Sequence, residues 1–305
     1  MHNSKKDNRT AYLFLAPALI LLGIFSLFPL LYTLVVSLFH WRIRPGSFAG
    51  LSHYFEIFGT PELLIGFLIL TALLVAALIL GPRLKKRGRG VFRVLTLGLG
   101  AGLFFFLGQV WSQGDARFLR SLEVTVWFAL GTVPVQLFLG LSLALALNAK
   151  FRGKTTLRTL LLVPYVLPLV ASASVFVLVF SLSPQSPANQ VLGFFHLGPW
   201  QWLRQPQGIW AGRSLPVFFT DWLSSWLQGP SLALVCIIIF NTWLFSGYYA
   251  LVFANGLASI PPEVYEAAAL DGVSRPKLLT KIILPLLSPT TYFLTLLGVV
   301  GTFKA

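Results

Sequence analysis

Residues 231–257 read SLALVCIIIFNTWLFSGYYALVFANGL, 27 positions without one charged side chain. At about 1.5 Å per residue, a helix of that length reaches roughly 40 Å, more than the ~30 Å hydrocarbon core of a bilayer. In water such a helix would have to be buried on every side. In lipid it satisfies its own backbone groups and needs no further cover.

Working outward, six more stretches of the same character appear, near residues 11–39, 63–80, 91–111, 122–147, 157–182 and 286–303. The whole chain of 305 residues is 56% hydrophobic and only 10% charged, with a mean hydropathy of +0.79. A soluble surface uses roughly 25% charged residues, so a water-soluble fold is excluded. The expectation is an all-α, polytopic membrane helix bundle with seven spans. The first stretch follows Lys5, Lys6 and Arg9 but is too long for a signal-peptide core and lacks a small-residue cleavage site, so it reads as a retained anchor. A single cysteine, Cys236, excludes an intrachain disulfide and a cysteine-cluster metal site.

The formal net charge is +14. With the N-terminus placed in the cytoplasm and the spans alternating, 16 of the 23 Lys and Arg fall inside, in four groups: Lys5 to Arg9, Arg83 to Arg93, Lys150 to Arg158, and Arg275 to Lys281. Six fall outside: Arg42, Arg44, Arg117, Arg120, Arg204 and Arg213. Short cytoplasmic loops retain basic residues, so the charge is a topological address in a cell membrane and no nucleic-acid footprint. The segment 183–229 lies outside and carries Phe194, Phe195, Trp200, Trp202, Trp210, Trp222 and Trp226. That density suits the lipid interface, and short amphipathic helices are expected there.

Catalytic parts are scarce. The nine acids lie in loops or at span edges, and His2, His40, His53 and His196 show no metal-ligand spacing. Gly153-Lys154-Thr155 ends like a P-loop, but the leading glycine is replaced by Asn148 and a span precedes it where a strand is needed. A membrane-embedded enzyme acting on lipid or glycan, with Glu123, Asp221 or His196 as general base, is the alternative reading.

The loop before the last stretch, residues 258–285, reads ASIPPEVYEAAALDGVSRPKLLTKIILP. It is punctuated as two short helices. Ser259 is the expected N-cap of the first, Pro261 and Pro262 suit its opening, Glu263 complements its positive end, and Gly272 suits the left-handed position after it. Ser274 is the expected cap of the second, which Pro285 closes. Val264, Ala267, Ala268 and Asp271 share one face, and Glu263, Glu266 and Leu270 another.

Glu266-Ala267-Ala268, Asp271-Gly272, then Ile282, Leu284 and Pro285 resemble the EAA loop of bacterial ABC importer permeases, in particular the binding-protein-dependent sugar permeases of the MalF/UgpA type. The likeness continues in Tyr12 to Pro17, Phe28-Pro29, Gly50 to Tyr54 (with His53 where Asn is usual), Arg158 with Pro164, Tyr165 and Pro168, and Gly256-Leu257 with Ile260-Pro261. Val124 departs from it, standing where the family has Asn. The resemblance implies a type I permease fold in which Glu263, Glu266, Ala267, Ala268, Asp271 and Gly272 couple to an ATPase. It implies a second permease subunit, two ATP-binding subunits that use ATP and Mg, an extracytoplasmic solute-binding protein, surrounding membrane lipid, and no cofactor on this chain.

The expected organisation is a cytoplasmic tail over 1–10, the first span and outer loop over 11–58, an inserted pair of spans over 59–113, and a permease core over 114–305. That core stops within a span, one short of the family plan, as a fragment or shortened reading frame would. A sugar path needs amides, hydroxyls and aromatic faces, with no buried charge. Gln136, Asn241, Thr242, Trp243, Ser246 and Tyr248 are the candidates within spans.

Overall fold

Apolar length sets where the helices run, and proline sets where they break. The computed structural model describes residues 4–41, 44, 46–84, 89–149, 152–210 and 226–304. Arg42, Lys85, Lys86, Arg87, Lys150, Arg213, Asp221 and Trp222 lie outside these. Regular structure among the described residues is helical, apart from isolated bridges pairing Phe39 with Phe48 and Gly208 with Ser231. Five helices are long and apolar enough to cross a membrane, and seven crossings result if each of two bent helix pairs counts as one.

The chain divides into two units, residues 1–119 and 120–305. In the first, α1 (Ser4–Leu22) runs through a π-helical turn at Gly23–Leu27 into α2 (Phe28–Val36). The tail expected over 1–10 is thus helical from Ser4, since no Gly or Pro interrupts the polar run ahead of the span. Then come α3 (Ser52–Phe58), α4 (Pro61–Leu84) and α5 (Arg89–Gln113), the last two packed side by side with Gly66 against the Phe106 ring. No residue in the apolar windows of Tyr12–Val36 or Pro61–Ile79 is buried. In water that would be an aggregating surface; in a bilayer it is ordinary.

The second unit takes in α6 (Ala116–Asn148) from Arg120 onward, then α7 (Lys154–Val166), α8 (Leu169–Val179), α9 (Pro187–Phe194), α10 (Leu232–Ala258), α11 (Pro262–Leu270), α12 (Arg275–Leu286) and α13 (Ser288–Thr302). The apolar stretch expected as a span over 157–182 is bent: α7 and α8 meet at 93°. Pro168 forces the preceding Leu167 out of the helical region, to φ −66° and ψ 146°. Likewise α12 and α13 meet at 66°, around Leu287 between Pro285 and Pro289.

Both π-helical stretches, Gly23–Leu27 and Leu278–Ile283 inside α12, end two residues before a proline, Pro29 and Pro285. Each proline lacks the N–H that would return to a carbonyl inside the π segment, Phe25 or Lys281, and the loosened turn takes up the mismatch.

α7 lies against α10. A Cβ on Gly247 would fall on the carbonyl of Leu161, so only glycine permits this backbone approach. One buried core, with Ala144 from α6, Tyr249, Phe253 and Leu257 from α10, Ile283 from α12 and Leu294 from α13, joins these helices, and a second gathers Phe180, Trp202, Leu232 and Cys236. In the aromatic segment 183–229 lies the short helix α9, capped by Ser186, whose Oγ accepts from Asn189 N. Asn189 in turn accepts from Trp200 N at 3.0 Å and Trp202 Nε1 at 2.8 Å, and donates to Ser183 O at 3.0 Å.

Candidate functional site

Two places in the second unit carry the residues of interest. The first is α11. Its end is a Schellman motif: Val273 N donates to Ala268 O at 3.0 Å, Gly272 N donates to Ala269 O at 3.1 Å, and Gly272 has φ +65°. Gly272 therefore does what its position in the sequence implies. Ser259 does not. It ends α10, donating its hydroxyl to Gly256 O at 2.7 Å, and Pro261 occupies the N-cap of α11. Ser274 stands at the next N-cap without a side-chain capping bond.

Helix α11 is amphipathic in a different register from the expected one. Val264 and Tyr265 pack against the core, and Ala268, on the same helical face, is buried. Glu263, Glu266, Ala267, Asp271 and Gly272 are exposed, so Ala268 parts company with Ala267 and Asp271. Leu270 is 90% exposed, the most exposed large apolar side chain among the described residues. Burial pushes the Tyr265 phenol up from its usual range, and its hydroxyl has no partner among the described residues.

The second place is a cavity of about 400 Å³ between α6, α7, α10 and α13. Gln136, Asn241 and Tyr248 line it; Thr242, Trp243 and Ser246 do not. The helical period explains the split: Asn241, Leu244, Phe245 and Tyr248 recur at three- and four-residue steps on one face of α10. Trp243 instead packs on Phe176 at 5.2 Å, Ser246 bonds to Trp243 O, and Thr242 is buried with an unpartnered hydroxyl.

Gln136 Nε2 donates to Asn241 O at 3.1 Å and to Asn241 Oδ1 at 2.8 Å. Tyr248 stacks on Tyr165, with ring centroids 5.1 Å apart and planes at 19°. Tyr249 of α10 joins the wall, as do Tyr165, Thr302 and Lys304 from other elements, and none of the four is expected there from the sequence. The lone lysine after an apolar run was the one available signal among them.

The model of the family described as "Binding-protein-dependent transport system inner membrane component" matches residues 136–305, a stretch that contains α11 and every cavity-lining residue except Phe128. The chain belongs to this family. Among curated members of similar sequence, a probable ABC transporter permease of Pyrococcus horikoshii is 27% identical over 96% of this chain and 74% of its own length. UgpA, an sn-glycerol-3-phosphate transport system permease of Rhizobium meliloti, is 31% identical over 73% of this chain and 67% of its own. The trehalose/maltose transport system permease MalF of Thermococcus litoralis is 30% identical over 62% of this chain and 55% of its own. In fold, the chain is similar to a bacterial alginate ABC transporter crystallised with an alginate pentasaccharide-bound periplasmic protein: 19% identity, TM-score 0.51, over 96% of this chain and 72% of that one.

As a binding-protein-dependent permease, the chain is a multi-pass membrane subunit of an ABC importer, and hydrolytic chemistry is not its task. Glu123, one of the residues weighed as a general base, sits in an ion pair. Glu123 is buried, and Arg120 Nη1 holds both its carboxylate oxygens, at 3.0 and 3.1 Å. His196 is exposed at the end of α9, and Asp221 lies outside the described residues. Among the described residues no group of His, Cys, Asp and Glu is arranged to hold a metal ion.

Proposed function

We propose that this permease forms half of a translocation path for a sugar or related polyol, the other half coming from a second permease subunit. The observation that carries the reading is the cavity wall: an amide pair, Gln136 and Asn241, beside a stacked aromatic pair, Tyr165 and Tyr248, with no carboxylate among the described residues that line it. Amides exchange hydrogen bonds with hydroxyls, and flat rings cover the apolar faces of a sugar. The trehalose/maltose role named for the Thermococcus relative supports the same substrate class.

α11 is the docking element for one of two ATP-binding subunits that hydrolyse Mg-bound ATP. Its exposed Glu263, Glu266, Ala267, Leu270, Asp271 and Gly272 make the contact, while Val264 and Tyr265 anchor it to the core and Ala268 is buried beside them. Movement of the docked ATPases then carries α10, α12 and α13 as a packed body between two access states. A solute-binding protein delivers substrate from the other side. The N-terminus is cytoplasmic, following the 16 to 6 distribution of basic residues. α4 and α5, with their outward apolar faces, form a lipid-facing addition to the permease core.

The test is reconstitution. Proteoliposomes holding this chain, the second permease and the ATPases should accumulate a labelled disaccharide or polyol only when binding protein and ATP are both supplied. Turnover of a lipid or glycan by the purified chain alone would sink the proposal.

A further inference from the structure

A second, smaller groove of about 120 Å³ lies between α8 and α10. Ala173, Phe176, Val177 and Phe180, the C-cap of α8, recur at three- and four-residue steps, so a single helical face forms one bank. Cys236, Ile237 and Phe240 of α10 form the other, and the Phe176 and Phe240 rings meet with centroids 4.9 Å apart. None of the described lining residues carries a charge, and the Cys236 thiol, the one polar group, is turned to the Trp202 carbonyl at 4.0 Å. Water finds no set of partners there. Val177 and Ile237 are exposed on segments that cross the bilayer, so hydrocarbon is what reaches the groove.

One end has a different character. Phe180 ends α8 and Leu232 opens α10, and both pack with Trp202, so the Trp202 turn sits at the ends of the two spans. In that turn Arg204 N donates to Gln201 O at 3.1 Å, Trp200 packs on Trp202 at 5.3 Å and is exposed, and Leu203 lines the groove. Tryptophan at a span end marks the level of lipid head groups. Arg204 follows Leu203 directly and is exposed, so a guanidinium stands at that level beside the mouth of an apolar slot.

Apolar slot and cation together have the polarity of one molecule. We infer that the groove is a binding site for a membrane phospholipid, with an acyl chain between α8 and α10 and the head-group phosphate on Arg204. The planar guanidinium suits a phosphate, which it can grip with two parallel N–H donors. An apolar helix of a second subunit laid over the same groove would cover that cation without pairing it. The inference does not depend on the solute path.

The experiment is native mass spectrometry of the complete transporter, delipidated in detergent and titrated with phosphatidylglycerol, with diacylglycerol of the same chains, or with glycerol phosphate. Wild type should hold at least one phosphatidylglycerol more than Ala173→Phe, which fills the groove, and more than Val177→Trp, which closes its exposed rim without entering the core. Arg204→Gln should need roughly tenfold more phosphatidylglycerol to fill that site, the loss of one charge-assisted contact, and Arg204→Lys should recover part of it. Glycerol phosphate alone should not bind, because it lacks the chain. Equal lipid counts in wild type and both groove variants overturn the proposal. So does diacylglycerol binding as well as phosphatidylglycerol, which would leave Arg204 without a role. A photo-crosslinker on Val177→Cys that captures the second permease in place of lipid would give the groove to a helix and overturn it too.

Discussion

The phenol of Tyr249 donates a hydrogen bond to the main-chain carbonyl of Leu294 at 3.2 Å, with both residues almost wholly buried. It ties α10 to α13 at the wall of the cavity. Hydrogen bonds between membrane helices contribute about 0.6 kcal/mol on average, with a maximum near 1.7. Tyr249→Phe should therefore lower the melting temperature of the detergent-purified subunit only slightly. Tyr249→Ala empties a large volume in the shared core and should cost about 3 kcal/mol or more. Equal losses in the two variants would show that the ring contributes nothing beyond the hydroxyl.

The Arg120–Glu123 pair is lopsided, with side-chain exposures of 49% and 3%. Removing the arginine strands a buried carboxylate, whereas removing the glutamate leaves a guanidinium that still reaches solvent. Arg120→Ala should thus destabilise the subunit more than Glu123→Ala, by roughly 2 kcal/mol after allowance for the exposed partner. Thermal denaturation of both variants reads the difference, and the reverse order would contradict it.

On α11 the exposed and buried faces should separate two phenotypes. Glu266→Lys and Leu270→Ala touch nothing in the core, so the isolated subunit should melt normally while ATPase co-purification falls several-fold. Gly272→Ala should act differently. Its φ of +65° strains any residue with a Cβ, by about 1 kcal/mol, and loosens the Schellman turn. Normal recovery of ATPases with all three variants would remove α11 from the docking role.

At Gly247 the backbones of α10 and α7 approach too closely for any side chain. Gly247→Val sets a branched side chain against the Leu161 carbonyl, so α7 must shift or come away from α10. Uptake should be abolished and the subunit should become protease-sensitive near the α7–α8 elbow. Full activity in that variant would mean the two helices are not held at this distance.

Seven apolar stretches were legible because a bilayer demands one property, about 20 apolar residues, and little else. The bends were not, although the prolines were in plain view. Pro134 and Pro164 sit inside helices that continue, while Pro168 ends one, and the difference depends on packing that a lone sequence does not display. The Gly272 turn was readable because a left-handed position is a local demand of the backbone. The burial of Ala268 was not, because which face of a short alanine-rich helix is covered depends on tertiary packing that its own sequence does not display. For the cavity, α10 is apolar on nearly every face, so its sequence gives no clue to the side that bears Asn241 and Tyr248. The residues that complete the wall, Tyr165 and Lys304, come from α7 and from just past α13.

Val264 and Tyr265 of α11 pack on the same core that holds Tyr249, which faces the cavity. Thermodynamic reciprocity then applies across that core. Whatever factor a solute applies to ATPase affinity by favouring one position of these helices, the ATPase must return to the solute. A tighter-binding solute that favours neither position would occupy the permease without ever signalling its presence.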